Sequence, residues 1–474
     1  MQMWLIARDN PSLAGLFHRM SIEPHPALWY LLLDVVARIS WNPSGMQIVN
    51  FAFAITEAWL ILSARRLHWS VRVLAIFSFF VFHNYAVVAR NYMLALLLLT
   101  AAVRCLLGER QHRKLAILFL ALAINTHILA IPIAGAIALW AFCFSNLDRW
   151  KEAGKLLRDA EFWAASLILL ASVAIAYATV VHSTNQSHLA DRTEQSTPAE
   201  NHSVVYNTLV LEGRAWTAFF PVESDHMPAK LGNWLNLDSE GFSLPASGIS
   251  LAIFFLIALA LRTNQARLVF LSGSTLLLIT LAVTPKEHSQ LRYLGFIFIA
   301  FLLALMIDAF TVSAGSQRQF FSQPVASTVV LSVLIFQAAV GIYASIGSSI
   351  HPYSDARSVG VWLKQQGLDK NPMVIDGYSA LAVLGYLERP PAYLTSCRCF
   401  SSYAVFDSNY DPERRASLDD LKVARGDSRL PAVLVVAYRA LDQADIHRLG
   451  LIEISIPRQV SSRRTFTVYE QVSP

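Results

Sequence analysis

The chain has 474 residues, 55% hydrophobic and 15% charged, against about 45–50% and about 25% in ordinary soluble proteins. Such a composition excludes a string of soluble domains and points to a bilayer as solvent. The net charge of +5 and pI near 9.0 would suit nucleic acid. The basic residues instead sit at the ends of apolar runs with no aromatic-basic module beside them, so they read as topology signals and no nucleic-acid partner is expected.

At the start of the chain Met3, Trp4, Leu5, Ile6, Leu13, Leu16, Phe17 and Met20 are interspersed with Arg8, Asp9, His18 and Arg19, the pattern of a helix lying along an interface. The stretch Ile22-Glu23-Pro24-His25-Pro26 then runs without a linker into apolar Ala27 to Leu33. An acidic, proline-braced turn is thereby pinned at a membrane boundary. Segment 27–40 is short and carries Asp34 and Arg38, which predicts a half-crossing or a surface helix. No basic region precedes the first apolar run, so no cleavable signal peptide is expected.

Apolar runs follow at 46–64, 71–89, 92–107, 114–145, 162–182, 247–261, 268–284, 292–310 and 326–347. The run 114–145 is long enough for a hairpin turning at Asn125, Thr126 and His127, which brings the expected crossings to ten. With residues 65–72 cytoplasmic, strict alternation puts fourteen short-loop Lys and Arg on that side and only Arg90, Lys286 and Arg292 opposite. This bias sets the orientation. It places loop 183–246 and the tail from 351 outside the cytoplasm.

Loop 183–246 opens polar and then carries Trp216, Phe219, Phe220, Trp234 and Leu235, predicting a mobile stretch followed by interface-seeking aromatics. The tail, 351–474, reads as a small α/β domain. A helix through Ala356 to Leu363, a strand at 372–375, a helix at 380–387 and strands at 431–436 and 465–469 are expected. No Gly-rich phosphate loop or nucleophile elbow marks it as catalytic. Cys397 and Cys399 stand one residue apart, so a bond between them would be strained, and no ligand spacing suggests a metal.

Several short motifs share an order. His25-Pro26-Ala27-Leu28-Trp29-Tyr30, Ala89-Arg90-Asn91-Tyr92, Thr126-His127 and Arg292-Tyr293-Leu294 resemble, in sequence and spacing, signatures of the GT-C glycosyltransferases, which take sugars from polyprenyl-phosphate donors. Protein O-mannosyltransferases and bacterial aminoarabinose transferases are members. The resemblance covers residues 1–310. It implies a GT-C-like, α-helical polytopic membrane protein with a small extracytoplasmic α/β domain. The implied domains are a first extracytoplasmic loop at 1–25, a transmembrane domain at 26–350 and the tail. Members carry a membrane helix and an acidic pair just before the residues matching Gln2 to Asp9; here Met1 stands there. A start placed too late, with coding sequence upstream, or a truncated copy would each produce this.

Transfer of this kind needs a carboxylate to deprotonate the acceptor hydroxyl and cations to stabilise the departing phosphate. The resemblance implies Glu23 and Asp9 as the first-loop acids. His25, Arg90, Tyr92, His127, Lys286, His288, Arg292 and Tyr293 are implied as the substrate-binding set, with the arginines on the phosphate. Ordinary alternatives stand beside these: an acid that caps a turn, arginines that snorkel to lipid headgroups, tyrosines of an aromatic belt, a structural histidine. The implied partners are a polyprenyl-phosphate sugar, a glycan, lipid or protein acceptor, and membrane lipids, with no cofactor or metal. The implied location is a bacterial inner membrane. A catalytically inactive scaffold and a transporter or flippase are the rival classes, the latter lacking the duplicated halves it would show.

Overall fold

In the computed structural model the described residues are all except 11, 21–24, 109–111, 145–159, 185–203, 223–241, 284–290, 313–323, 389–391, 406–409, 412–413, 427–431, 439, 457–464 and 473–474. The chain forms two compact units. One comprises Met1–Ile48, Ala178–Thr197 and Ile346–Pro474; the other comprises Val49–Tyr177 and Pro198–Ser345.

The second unit is helical. Among the described residues six helices are long and apolar enough to cross a membrane: Ser44–Leu62, Trp69–Val87, Ala160–Val180, Asn264–Val283, Leu291–Thr311 and Pro324–Ile350. All ten expected crossings coincide with helices, but Asn91–Leu107, Arg113–Ile124, Ala130–Leu139 and Leu244–Ala260 are shorter. At ~1.5 Å per residue the 12-residue Arg113–Ile124 reaches about 18 Å, against a hydrocarbon core of ~30 Å. The hairpin therefore does not supply two full crossings. Hydropathy alone merges its turn into one long run.

Ser44–Leu62 shows how a bilayer inverts the usual pattern. Phe51, Ile55 and Trp59 are exposed along one face, while Asn50 and Glu57 are buried on the other. Large apolar side chains are stable against lipid, whereas buried polar groups must find partners. Asn50 Nδ2 donates to the carbonyls of Tyr85 and Ala86 at 3.0 and 2.8 Å, and the Thr100 hydroxyl donates to Glu57 at 2.8 Å. At the centre Leu291–Thr311 is buried from Tyr293 to Asp308. Two glycines permit close approach there. A Cβ on Gly295 would lie 2.3 Å from the Phe80 ring and 2.6 Å from the Tyr85 hydroxyl, and one on Gly341 would lie 2.5 Å from the Phe77 carbonyl.

Alternation is respected inside this unit. Arg66 donates to the Phe310 carbonyl, Arg104 reaches Ser63, and Arg262 pairs with Asp308 at 2.9 Å, all at one end. Arg90 and Arg292 start helices Asn91–Leu107 and Leu291–Thr311 at the other end. The aromatics expected to rest at an interface do not do so. Trp216 and Phe219 are buried, with Phe219 edge-on to Phe254, Phe270 and Phe301 at 5.7, 6.2 and 5.9 Å. Packing into an aromatic core outweighs the interfacial preference. Trp234, Leu235 and the polar stretch that was expected to be mobile lie outside the described residues.

The first unit is an α/β sandwich around six strands: β1 Met373–Asp376, β2 Ala392–Leu394, β3 Cys399–Phe400, β4 Ala432–Ala437, β5 Ile452–Ile454 and β6 Thr467–Val472. Their order is β3-β2-β1-β4-β6-β5. β1 is parallel to β2 and β4, with Ile375 opposite Leu394 and Val436. The other pairings are antiparallel. Three of these strands were expected. β2, β3 and β5 are two or three residues long, too short to show an alternating pattern.

One face of the sheet is covered by Ala356–Gln365, but also by the start of the chain. Leu5, Ile6, Leu16, Met20, Ala27 and Tyr30 share a core with Met373, Ile375, Leu394, Leu434 and Val436. Helices Gln2–Asp9 and Leu13–Met20 therefore pack into the core of the α/β unit. The helix Leu28–Ile39 likewise buries Trp29, Tyr30 and Leu33, and its charges form an internal pair, Arg38 on Asp34 at 3.0 Å. Cys397 and Cys399 are disulfide-bonded despite their spacing. The residue between them, Arg398, takes φ 52, the one left-handed non-glycine among the described residues.

Candidate functional site

The strongest gathering of the expected residues lies at one end of the helical unit. Four chain segments meet there: the end of the π-helical stretch Phe79–Val87, the start of Asn91–Leu107, the turn after Arg113–Ile124 and the start of Leu291–Thr311.

Tyr92, the second residue of its helix, is the hub. Its ring lies 4.8 Å from the His127 imidazole, 5.2 Å from Tyr85 in a stack and 6.3 Å from Tyr293. Arg90 and Arg292 both lie within electrostatic reach of the Tyr92 side chain. Arg292 also covers the Tyr293 ring at 4.9 Å and donates to its hydroxyl at 3.3 Å. The Tyr85 hydroxyl donates to the Arg292 carbonyl at 3.0 Å, which fixes the first turn of that helix against the π-helical stretch.

His127 is held by local geometry. The Leu129 amide donates to its Nδ1 at 3.1 Å, and its ring stacks on Phe296 at 5.1 Å. With Nδ1 accepting, the neutral ring carries its proton on Nε2, so that edge is a donor. The turn itself is tied down by Asn91, whose Nδ2 donates to the Thr126 carbonyl at 2.9 Å.

The charged side chains gathered at this end, Arg90 and Arg292, are both basic, while helix ends of both polarities meet here, since Phe79–Val87 and Arg113–Ile124 end where three other helices begin. Helices Asn91–Leu107, Ala130–Leu139 and Leu291–Thr311 all begin here, and helix N-termini present unsatisfied N–H donors and a positive macrodipole end. Two guanidiniums, an imidazole N–H and two phenol hydroxyls join them. Such a set can bind an oxyanion and stabilise charge developing on it.

Of the sequence-derived residues, Arg90, Tyr92, His127, Arg292 and Tyr293 come together. Lys286, His288 and Glu23 lie outside the described residues. His25 and Asp9 belong to the other unit. Asp9 has a structural task there. Both its oxygens accept from Arg8, at 2.6 and 2.8 Å, and the buried Arg8 guanidinium also donates to the carbonyls of Leu384, Gly385 and Leu387. A carboxylate committed to a buried cation is a poor general base. Tyr85, Asn91 and Phe296 complete the cluster and were missed. Asn91 was legible, being the variable position inside Ala89-Arg90-Asn91-Tyr92, whereas Tyr85 and Phe296 sat unmarked in apolar runs.

No family model and no curated protein matches this chain. Among solved structures, the crystal structure of ArnT from Cupriavidus metallidurans in the apo state is similar at 13% identity, over 99% of this chain and 96% of that one, with a TM-score of 0.46. A likeness at that level decides neither fold nor activity.

Proposed function

We propose that the Arg90–Tyr92–His127–Arg292 cluster binds the phosphate of a polyprenyl-phosphate-linked sugar, and that the chain transfers the monosaccharide to an envelope glycan, lipid or protein acceptor. The observation that carries this reading is the meeting of Arg90 and Arg292 with Tyr92 and the His127 turn at one end of the helical unit.

In this reading the anomeric carbon–phosphate oxygen bond breaks as the acceptor oxygen attacks. The acceptor proton passes to a carboxylate, proposed as Glu23, and the charge left on the phosphate is held by Arg90 and Arg292. The proposed location is the outer face of a bacterial inner membrane, with residues 351–474 extracytoplasmic, and neither metal nor cofactor takes part.

One observation favours a second reading, a binder without turnover. Asp9, a first-loop acid within the described residues, is sequestered by Arg8. The complete protein in lipid nanodiscs, given polyprenyl-phosphate-linked pentose or hexose together with envelope extract, separates the two. Release of free polyprenyl phosphate, lost in Arg292→Ala, supports transfer. Arg292-dependent binding of polyprenyl phosphate without release supports the binder. Neither binding nor release overturns both.

A further inference from the structure

In the α/β unit, the disulfide Cys397–Cys399 closes a ring over a single intervening residue at the tip of the β2–β3 hairpin. Arg398, enclosed by the ring, takes φ 52, a region that costs residues with a Cβ roughly 1–2 kcal/mol. The bond is therefore coupled to an unfavourable backbone conformation that reduction would release. Its two sulfurs are also unequal. Cys397 is 3% exposed in the apolar core, while Cys399 is half-buried on the edge strand with Arg398 exposed beside it. Cys399 is thus the more exposed of the two cysteines toward an incoming thiolate, with a positive charge beside it.

The hairpin also holds something. Directly after β3, the backbone of Ala404 pairs with the side chain of Gln2, donating N–H to Oε1 and accepting from Nε2, both at 2.9 Å. Arg19 lies over the Tyr403 ring at 5.8 Å. Cys397 shares its core with Leu5, Ile6, Leu16 and Met20 of the first two helices. The bond thus braces the segment on which the start of the chain is docked.

We propose that Cys397–Cys399 is a site of reversible thiol–disulfide exchange with an external dithiol, and that reduction loosens the docking of helix Gln2–Asp9 on the α/β unit. A thiolate of the dithiol attacks Cys399 Sγ. The Cys397–Cys399 bond breaks, Cys397 leaves and takes a proton, and a mixed disulfide forms. The second thiol of the dithiol then attacks its own partner sulfur and releases Cys399 as a thiol. Two electrons pass to the protein and the dithiol becomes a disulfide.

The test is a redox titration of the complete, folded protein in graded mixtures of reduced and oxidised dithiothreitol, acid-quenched, alkylated and read by intact mass. Wild type is expected to take two alkyl groups at these sulfurs without denaturant. Arg398→Gly, which removes the left-handed penalty, should make reduction harder, by up to about five- to thirtyfold in the exchange constant. Arg398→Val, whose β-branch raises the penalty, should make it easier. On reduction, amides of residues 2–9 should exchange faster with deuterium. Alkylation only after denaturation, or one midpoint shared by all three proteins, would overturn the exchange site; unchanged deuterium exchange would overturn the coupling.

Discussion

The His127 imidazole lies 4.8 Å from the Tyr92 ring, centroid to centroid, so the turn of a hairpin and the first turn of a separate helix pack against each other. Because His127 Nδ1 accepts from the Leu129 amide, the proton of the neutral ring lies on Nε2, the edge proposed to donate to the donor phosphate. His127→Phe should preserve the ring packing and remove the donor. The expected result is about a tenfold rise in KM for the lipid donor, the size of one hydrogen bond to a charged group, with Tm within about 2 °C of wild type. An unchanged KM would return His127 to a packing role.

Arg292 makes a different kind of contact, through charge. Arg292→Ala in the complete protein should lower kcat/KM by about ten- to a hundredfold without loss of folded protein, and Arg292→Lys should restore part of it, since a point charge replaces a planar fork. Equal activity of Arg292→Ala and wild type would leave the residue as a headgroup-snorkelling arginine.

Arg8 and Asp9 behave as one structural unit. Arg8→Met leaves three helix-end carbonyls and a carboxylate without their donor, and should cost about 3 kcal/mol by chemical denaturation. Asp9→Asn should retain most transfer activity. A folded Asp9→Asn protein with no turnover would make Asp9 the catalytic acid.

The pH dependence of the α/β unit should carry the mark of Asp420. Burial opposes its charged form, but Arg414 at 2.8 Å, the Ser417 hydroxyl and the Ser417 amide outweigh this and hold its carboxyl below the usual range. A carboxyl whose pKa is depressed on folding contributes stability that is present above its unfolded value near ~3.9 and is lost as pH falls through the folded value. Asp420→Asn should therefore lower Tm at neutral pH and flatten the acid limb of the Tm–pH curve. Parallel acid limbs would show that other carboxylates dominate.

Gly295 tests the packing beneath the cluster. Any Cβ there meets the Phe80 ring and the Tyr85 hydroxyl, so Gly295→Ala should destabilise by about 1–3 kcal/mol and displace Tyr85 from the Arg292 carbonyl. A Tm equal to wild type would mean that Phe80 has room to turn aside.

Much of this architecture was readable before any coordinates. Runs of apolar residues near bilayer length mark the helices because each helix satisfies its own backbone, and the strands at Met373–Asp376 and Ala432–Ala437 stand out because burial on both faces leaves an unbroken apolar run. Even the pairing of Arg90 with Arg292 at one end followed from counting charges along loops. Tertiary structure decided the rest, since contact depends on which helices pack together and not on neighbouring letters. Nothing local to Gln2 or Arg8 announces that they bind Ala404 and Leu387, and nothing local to Asp9 tells a paired carboxylate from a free one. The same holds for Cys397 and Cys399. Their spacing foretold strain, but whether the bond forms was settled by the hairpin that brings the two sulfurs together.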